Sequence, residues 1–205
     1  FSKCHGREVR PGEIGCYLSH IGALNKFLES DAKFALILED DALISEEANN
    51  LISKVIDEYQ DGDWDFLKLQ SRRKTKNIKI RKIDNKYSFA ICFTRSTGAT
   101  AYIVNRFGAK QMVDKLLPIE TPYDHAFDRP FFLKIRVRAI YPYPVELIQE
   151  HAEISTIETS KPLKKKGFKK ISALCWRAQS ELSRVLWVAS EVVRELLKNN
   201  KLTKS

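Results

Sequence analysis

Apolar residues along this chain follow two periods, and the switches between them lay out its elements. Ile14, Tyr17, Leu18, Ile21, Leu24 and Leu28 recur at helical spacing. Arg10-Pro11-Gly12-Glu13 ahead of them reads as a turn into a helix, with Pro11 fixing the first backbone angle and an acid in the first turn. That helix is predicted to end near residue 29. Phe34-Ala35-Leu36-Ile37-Leu38 is short and continuously apolar, the pattern of a strand buried on both faces. It stops at three carboxylates, Glu39-Asp40-Asp41. A second helix is predicted over 45–59, with Ser45 as N-cap and Glu46 and Glu47 in its first turn.

Asp61-Gly62-Asp63 marks a turn, and Asp65-Phe66-Leu67-Lys68-Leu69 reads as the next strand. Two more strands are expected over 88–94 and 100–104, followed by a helix over 105–117. Alternation of this kind predicts an α/β layered domain with a mixed sheet. No internal repeat is visible. Lys161-Pro162-Leu163-Lys164-Lys165-Lys166-Gly167 reads as a basic linker. After it, Ile171, Cys175, Ala178, Leu182, Val185, Ala189, Val192 and Leu196 alternate in steps of four and three. That spacing predicts a long amphipathic helix with a narrow apolar seam, with Trp176 and Trp187 beside it and Arg177, Arg184 and Arg194 on its flanks.

Composition adds bounds. The 205 residues are 43% hydrophobic and 30% charged, enough to bury a sizeable core. No apolar run approaches the roughly 18–20 residues that cross a bilayer. The chain opens on Phe1, and the residues after it lack an apolar signal core, so they read as the interior of a longer reading frame and not as a secretory leader. Cys4, Cys16, Cys92 and Cys175 show no C-x-x-C pairing. They read as reduced thiols of a cytosolic protein, with Cys16 and Cys92 packed as small apolar residues.

The net charge of +9 is unevenly placed. From Lys161 onward 12 lysines and arginines face 3 acids, whereas residues 1–160 hold 23 of each sign. The excess belongs to the tail. Within the body, the run from Arg72 to Lys82 is locally basic, holding Arg73, Lys74, Lys76, Lys79 and Arg81 as well. Such runs can bind polynucleotide phosphates, but no stacking-aromatic motif accompanies this one and the body is neutral overall. Nucleic acid is therefore not the expected partner.

The acidic strand end is the most informative segment. Three adjacent carboxylates repel one another, and a divalent cation offsets that well. Mg²⁺ and Mn²⁺ prefer carboxylate oxygen and share it with substrate phosphates. In open α/β sheets ligands gather beyond the carboxyl ends of strands, where these acids would sit. A solvated acidic loop leading into the next helix is the competing reading, and a metal-dependent phosphohydrolase would fit as well as a transferase.

The neighbouring residues make the segment specific. Pro11-Gly12-Glu13-Ile14-Gly15-Cys16-Tyr17-Leu18-Ser19-His20, followed by Ala35-Leu36-Ile37-Leu38-Glu39-Asp40-Asp41, resembles glycosyltransferase family 25. That family contains bacterial lipooligosaccharide galactosyltransferases and collagen galactosyltransferases. Ser96-Thr97-Gly98-Ala99-Thr100-Ala101-Tyr102-Ile103 with Gly108-Ala109-Lys110 is similar to its second block, Pro122-Tyr123-Asp124 to its third, and the segment from Tyr141-Pro142 to Ser155 to its last. The resemblance covers roughly residues 8–157 in order.

It implies a GT-A-like, Rossmann-type mixed sheet flanked by helices, over residues 1–160, lacking the apolar strand with which family members begin. It implies transfer with inversion from a UDP-sugar, UDP-galactose or a near relative, to a lipid-linked oligosaccharide. Glu39, Asp40 and Asp41 would then act as a DxD-type motif, with Asp40 and Asp41 approaching Mn²⁺ or Mg²⁺ on the diphosphate. Inversion needs a base for the acceptor hydroxyl, and Asp124, then Asp128, are the candidates. Glu13, Ser19 and His20 of the first block, and Thr97 and Gly98 of the second, would line the donor site. Each has a plain structural alternative: a helix-start acid for Glu13, a packed histidine for His20, a turn acid for Asp124 or Asp128, and a bulge at Gly98.

The remaining expectation concerns the tail. A basic amphipathic helix with tryptophans suits an anionic membrane surface, placing the protein in the cytoplasm at the periphery of the inner membrane. Docking of that helix on the catalytic domain, or pairing into a homo-oligomer, are the alternatives.

Overall fold

The computed structural model describes residue 4, residues 8–60, residues 62–148 and the helix over 168–202, with side chains of that helix from 173 to 198. The basic linker and part of the last family-like block lie outside the described residues. In chain order the elements are α1 (Pro11–Glu29), β1 (Phe34–Leu38), β2 (Ala42–Leu43), α2 (Glu46–Asp57), β3 (Phe66–Lys68), β4 (Asn77–Lys82) and β5 (Ser88–Cys92). They continue with β6 (Ala101–Asn105), α3 (Arg106–Lys115), α4 (Tyr123–Phe127), α5 (Pro130–Leu133), β7 (Val137–Tyr141), β8 (Glu146–Leu147) and α6 (Phe168–Leu202).

Six strands form one sheet in the order β1-β6-β3-β7-β5-β4, and β2 and β8 form a small second one. Only β3 and β7 run parallel; the other pairs are antiparallel. This is the α/β, GT-A-like mixed sheet expected from the sequence. Strand β6 shows how the sheet separates two cores. Tyr102 and Val104 pack with Tyr17, Leu24 and Phe27 of α1 and Met112 of α3 on one face. Ala101 and Ile103 pack with Leu51, Ile52 and Val55 of α2 on the other, as the two-residue period of a strand requires.

Local signals place several boundaries. Pro11 opens α1, and the Glu13 carboxylate accepts the Arg10 N–H at 3.0 Å. Ser45 caps α2 by accepting the Ala48 N–H at 3.1 Å, and Asn105 caps α3 by accepting the Gly108 N–H at 2.7 Å. One expectation fails. Strand β1 is not buried on both faces: among the described residues it is the sheet edge, paired with β6 alone, and Leu36 and Leu38 are 38% and 44% exposed. Its Ala35 and Ile37 pack toward α1, while the opposite face is covered only at Phe34.

Helix α6 lies against α5 and β5, so the docking alternative for the tail helix is realised. Trp176 does not line an outer seam; it stacks over the Arg129 guanidinium at 4.9 Å. Trp187 faces a cleft of about 400 Å³ that it shares with Asp65, Arg136 and Arg194, at the rim where β3 and β7 begin.

Candidate active site

The site forms at the opposite rim, where β1 and β3 end and β6 begins. Leu38 is paired with Ala101 and Lys68 with Tyr102, so Glu39, Gln70 and Thr100 emerge side by side. The backbone continues the pairing: the Glu39 N–H donates to the Thr100 carbonyl at 2.8 Å, and the Leu69 N–H to Ala101 at 3.1 Å.

Glu39 sits at the centre. Its Oε1 lies 3.2 Å from His20 Nε2, and its Oε2 accepts the Thr100 hydroxyl at 3.1 Å and faces the Arg72 guanidinium at 3.7 Å. His20 is buried and oriented from two other directions. Its ring stacks on Tyr123 at 4.2 Å, and its Nδ1 lies 3.1 Å from the Tyr102 hydroxyl, itself 2.9 Å from the Tyr123 hydroxyl. Burial pushes the Glu39 carboxyl upward. The hydrogen bond and charge of His20, the Thr100 hydroxyl and the Arg72 charge outweigh that, and hold the group below the usual carboxylate range.

Asp41 is reached by Arg72, whose Nη2 donates to its Oδ2 at 2.9 Å. Its other oxygen, Oδ1, is buried with no hydrogen-bonding partner among the described residues. A buried acceptor left unpaired is costly unless something outside the chain meets it. Asp40, between them, is exposed. The chain thus separates the three acids: two join the cluster and one faces water. Gln70 Oε1 is a second buried oxygen at this rim without a partner among the described residues, and a Cβ added at Gly98 would come within 2.9 Å of it.

Cys16, one helical turn before His20, completes the cluster, with its thiol 3.9 Å from Glu39 Oε1. Burial, then the charges of Glu39 and Asp124, push that thiol up to about 11, so it stays protonated at neutral pH. The ligand atoms of Cys16, His20 and Glu39 lie within 4.8 Å of one another, a set able to take a metal of borderline softness. Among the described residues the buried Asp41 Oδ1 meets no donor, and an oxygen of that kind suits a hard ion such as Mg²⁺ or Mn²⁺.

The loop before β6 is clasped on both its donors and its acceptors. Gly98 donates its N–H to Asp124 Oδ2 at 3.2 Å, and Ser96 donates its N–H to Asp128 Oδ2 at 3.3 Å. The ammonium of Lys68, buried in the centre of the sheet, donates to the Gly98 carbonyl at 3.4 Å and to the Ser96 carbonyl. Gly98 adopts φ +100°, a backbone state that favours glycine. Asp128 is buried and paired with Arg184 of α6 at 3.1 Å. Burial pushes its carboxyl up, against the charges of Arg184 and Lys68. Asp124 begins α4, and its charge is felt at Cys16 along with that of Glu39, so it borders the acid cluster.

The sequence-derived candidates therefore fall into groups. His20, Glu39 and Asp41 share one cluster, with Gly98 and Asp124 at its border. Thr97 is buried in the clasped loop, where its carbonyl accepts the Arg72 N–H at 2.9 Å. Glu13 serves the start of α1, and Ser19 is exposed on that helix. Sequence reading missed Arg72, Lys68, Thr100 and Tyr102 as site residues. Lys68 carried a signal, since a lysine inside the apolar strand Phe66-Leu67-Lys68-Leu69 must find a partner when buried. Arg72 was hidden in a basic run, which the structure resolves into separate ion pairs, Arg72 with Asp41 and Arg81 with Asp63 at 2.9 Å.

Known proteins share parts of this sequence. Residues 1–127 match the family described as glycosyltransferase family 25 (LPS biosynthesis protein). The chain is 36% identical over 128 residues to a putative glycosyltransferase of Haemophilus influenzae, covering 61% of this chain and 43% of that one. It is 25% identical over 125 residues to procollagen galactosyltransferase 1 of Danio rerio, covering 57% of this chain and 20% of that protein. With procollagen galactosyltransferase 1-A of Xenopus laevis it shares 22% identity over 175 residues, 76% of this chain and 28% of the relative. The chain spans less than half the length of each of these relatives.

Proposed function

Because the chain belongs to glycosyltransferase family 25, and is by that membership a transferase, we propose that it moves a hexose, galactose by analogy with its relatives, from a UDP-sugar to a lipid-linked oligosaccharide, with inversion at the anomeric carbon. The observation that carries the reading is the buried Asp41 oxygen that has no partner among the described residues, on an acid that shares Arg72 with Glu39. Two acids and one arginine at a strand-end rim suit a diphosphate accompanied by a hard cation.

On this reading Asp41 and Glu39 would hold Mn²⁺ or Mg²⁺, while the exposed Asp40 completes the motif without entering the cluster. Such an ion, when bound, neutralises charge on the departing diphosphate. His20, fixed by Tyr123 and Tyr102, orients the Glu39 carboxylate. Arg72 holds Asp41 and offers the cluster its positive charge. Thr97 and Gly98 bring backbone close to the donor. Asp124 takes the proton from the acceptor hydroxyl as the new glycosidic bond forms and the bond to UDP breaks. Asp128, already paired with Arg184, supports the loop and does not serve as the base. A lipid-linked acceptor places this work at the cytoplasmic face of the inner membrane, with the protein peripheral to it.

The test is transfer from UDP-galactose to a lipooligosaccharide acceptor, followed by anomer assignment of the product by NMR. Asp124→Asn should lower turnover by about 10²–10⁴ while UDP still raises the melting temperature. Turnover within tenfold of wild type would remove Asp124 as the base. Absence of transfer from every UDP-hexose would overturn the donor assignment.

A further inference from the structure

Helix α6 is turned the wrong way for a surface helix. It buries Ser180, Arg184 and Glu191 against the domain, along with Ala173 and Val188. Arg138 of β7, itself buried, donates to Glu191 at 2.8 Å and to Glu195 at 2.7 Å. Arg184 pairs with Asp128, and Glu181 takes the Arg95 guanidinium. These pairs fix the rotation of the helix about its own axis.

The opposite side carries the apolar residues. Leu174, Leu182, Leu186, Val193, Leu196 and Leu197 are each more than half exposed. At 100° per residue they fall within an arc of about 140°, over a length of about 35 Å. Between residues 173 and 198 that arc holds no Asp, Glu, Lys or Arg. An amphipathic helix normally does the reverse, and a continuous exposed apolar patch marks an interaction surface.

Charge selects the occupant. The three acids that follow Lys161 are Glu181, Glu191 and Glu195, and all are bonded to arginines. The sequence on either side of the stripe is basic, with six lysines between residues 161 and 170 and three between 198 and 204. Pairing two copies seam to seam, in either direction, would bring these like-charged segments together. Among the described residues no helix is long and apolar enough to cross a membrane.

We infer that the Leu174–Leu197 face of α6 lies in the plane of an anionic lipid surface, its leucines among the acyl chains, with the basic sequence that flanks it drawn to the headgroups. This deepens the peripheral-membrane reading above by naming the face, yet it does not depend on sugar transfer, because lipid binding is measured without donor or acceptor. The ion pair from Arg184 to Asp128, whose carboxylate holds the Ser96 N–H, ties the lipid-seated helix directly to the loop of the candidate active site.

The experiment is co-sedimentation of the full chain with vesicles of phosphatidylglycerol and phosphatidylcholine, and with phosphatidylcholine alone, at low and high salt. Wild type should favour the anionic vesicles, release partly with salt, and lose about tenfold or more in affinity when Leu182→Glu and Leu186→Glu are combined. Circular dichroism and UDP-induced stabilisation of the double variant should match wild type. If that variant misfolds, Leu174→Ser with Leu196→Ser repeats the test. Equal lipid binding by folded variant and wild type overturns the inference. So does failure of wild type to bind anionic vesicles, or light scattering that shows a dimer, dispersed by the same substitutions, with no lipid bound.

Discussion

Replacing Gly98 with alanine probes the clasped loop at the point where its backbone is most constrained. The residue adopts φ +100°, and a Cβ there would lie 2.9 Å from Gln70 Oε1, 3.0 Å from Arg72 Cγ and 3.2 Å from the Arg72 backbone nitrogen. Gln70 is a side chain that can swing away, but the Arg72 nitrogen is bonded to the Thr97 carbonyl and cannot. The left-handed backbone state alone costs a residue with a Cβ about 1–3 kcal/mol. For a chain of this size a loss of about 2 kcal/mol lowers the melting temperature by about 4–8 °C. Any relaxation moves the N–H that Asp124 accepts and the carbonyl that Lys68 holds, so UDP affinity should fall together with stability. Gly15→Ala supplies the control: its Cβ meets nothing within 4 Å in mid-helix, and it should gain about 0.5–1 kcal/mol. Scanning fluorimetry with and without UDP reads both effects. An unchanged melting temperature and UDP shift for Gly98→Ala would refute the account of the loop.

Other expectations follow from particular contacts. Arg138→Met leaves buried Glu191 with only the half-exposed Arg194 to pair it and should cost about 1–3 kcal/mol, with α6 amides losing protection first in hydrogen exchange; uniform protection would contradict the clamp. Glu39 is held below the usual carboxylate range, so its contribution to stability is complete at neutral pH and is lost as pH falls through its depressed value. Glu39→Gln should therefore flatten the dependence of the urea midpoint on pH below about 4, and parallel curves would show that His20 and Arg72 do not act on Glu39. Ser45→Ala should cost about 1 kcal/mol through loss of the α2 cap, read as a shift in urea midpoint; a cost within error would mean the cap is replaced.

Much of the fold was legible because its signals are local. Pro11, Ser45 and Asn105 act within one helical turn, and α1, α2 and α3 begin where those residues put them. The edge position of β1 was not legible, since an apolar run records nothing about which strands lie beside it. Strand β4 went unread because Lys79, Arg81 and Lys82 drew attention to charge, although Ile78 and Ile80 alternate with them as a half-buried strand would. Strand β7 was obscured by Arg138, whose partners lie over 50 residues away on α6. In the site, Glu39 and Asp41 stood out as a motif. Of the groups that make the cluster work, Lys68 and Tyr102 arrive through sheet pairing and Arg72 through the loop that follows β3, and no short window of sequence contains all three.

The most direct measurement is calorimetric titration of UDP into wild type and Asp41→Asn, each with and without Mn²⁺. The account predicts that the ion strengthens UDP binding in wild type and that Asp41→Asn, with Glu39 and Arg72 intact, loses at least about tenfold of that gain. UDP affinity that ignores Mn²⁺ in wild type, or a gain from Mn²⁺ that survives in Asp41→Asn, would contradict it.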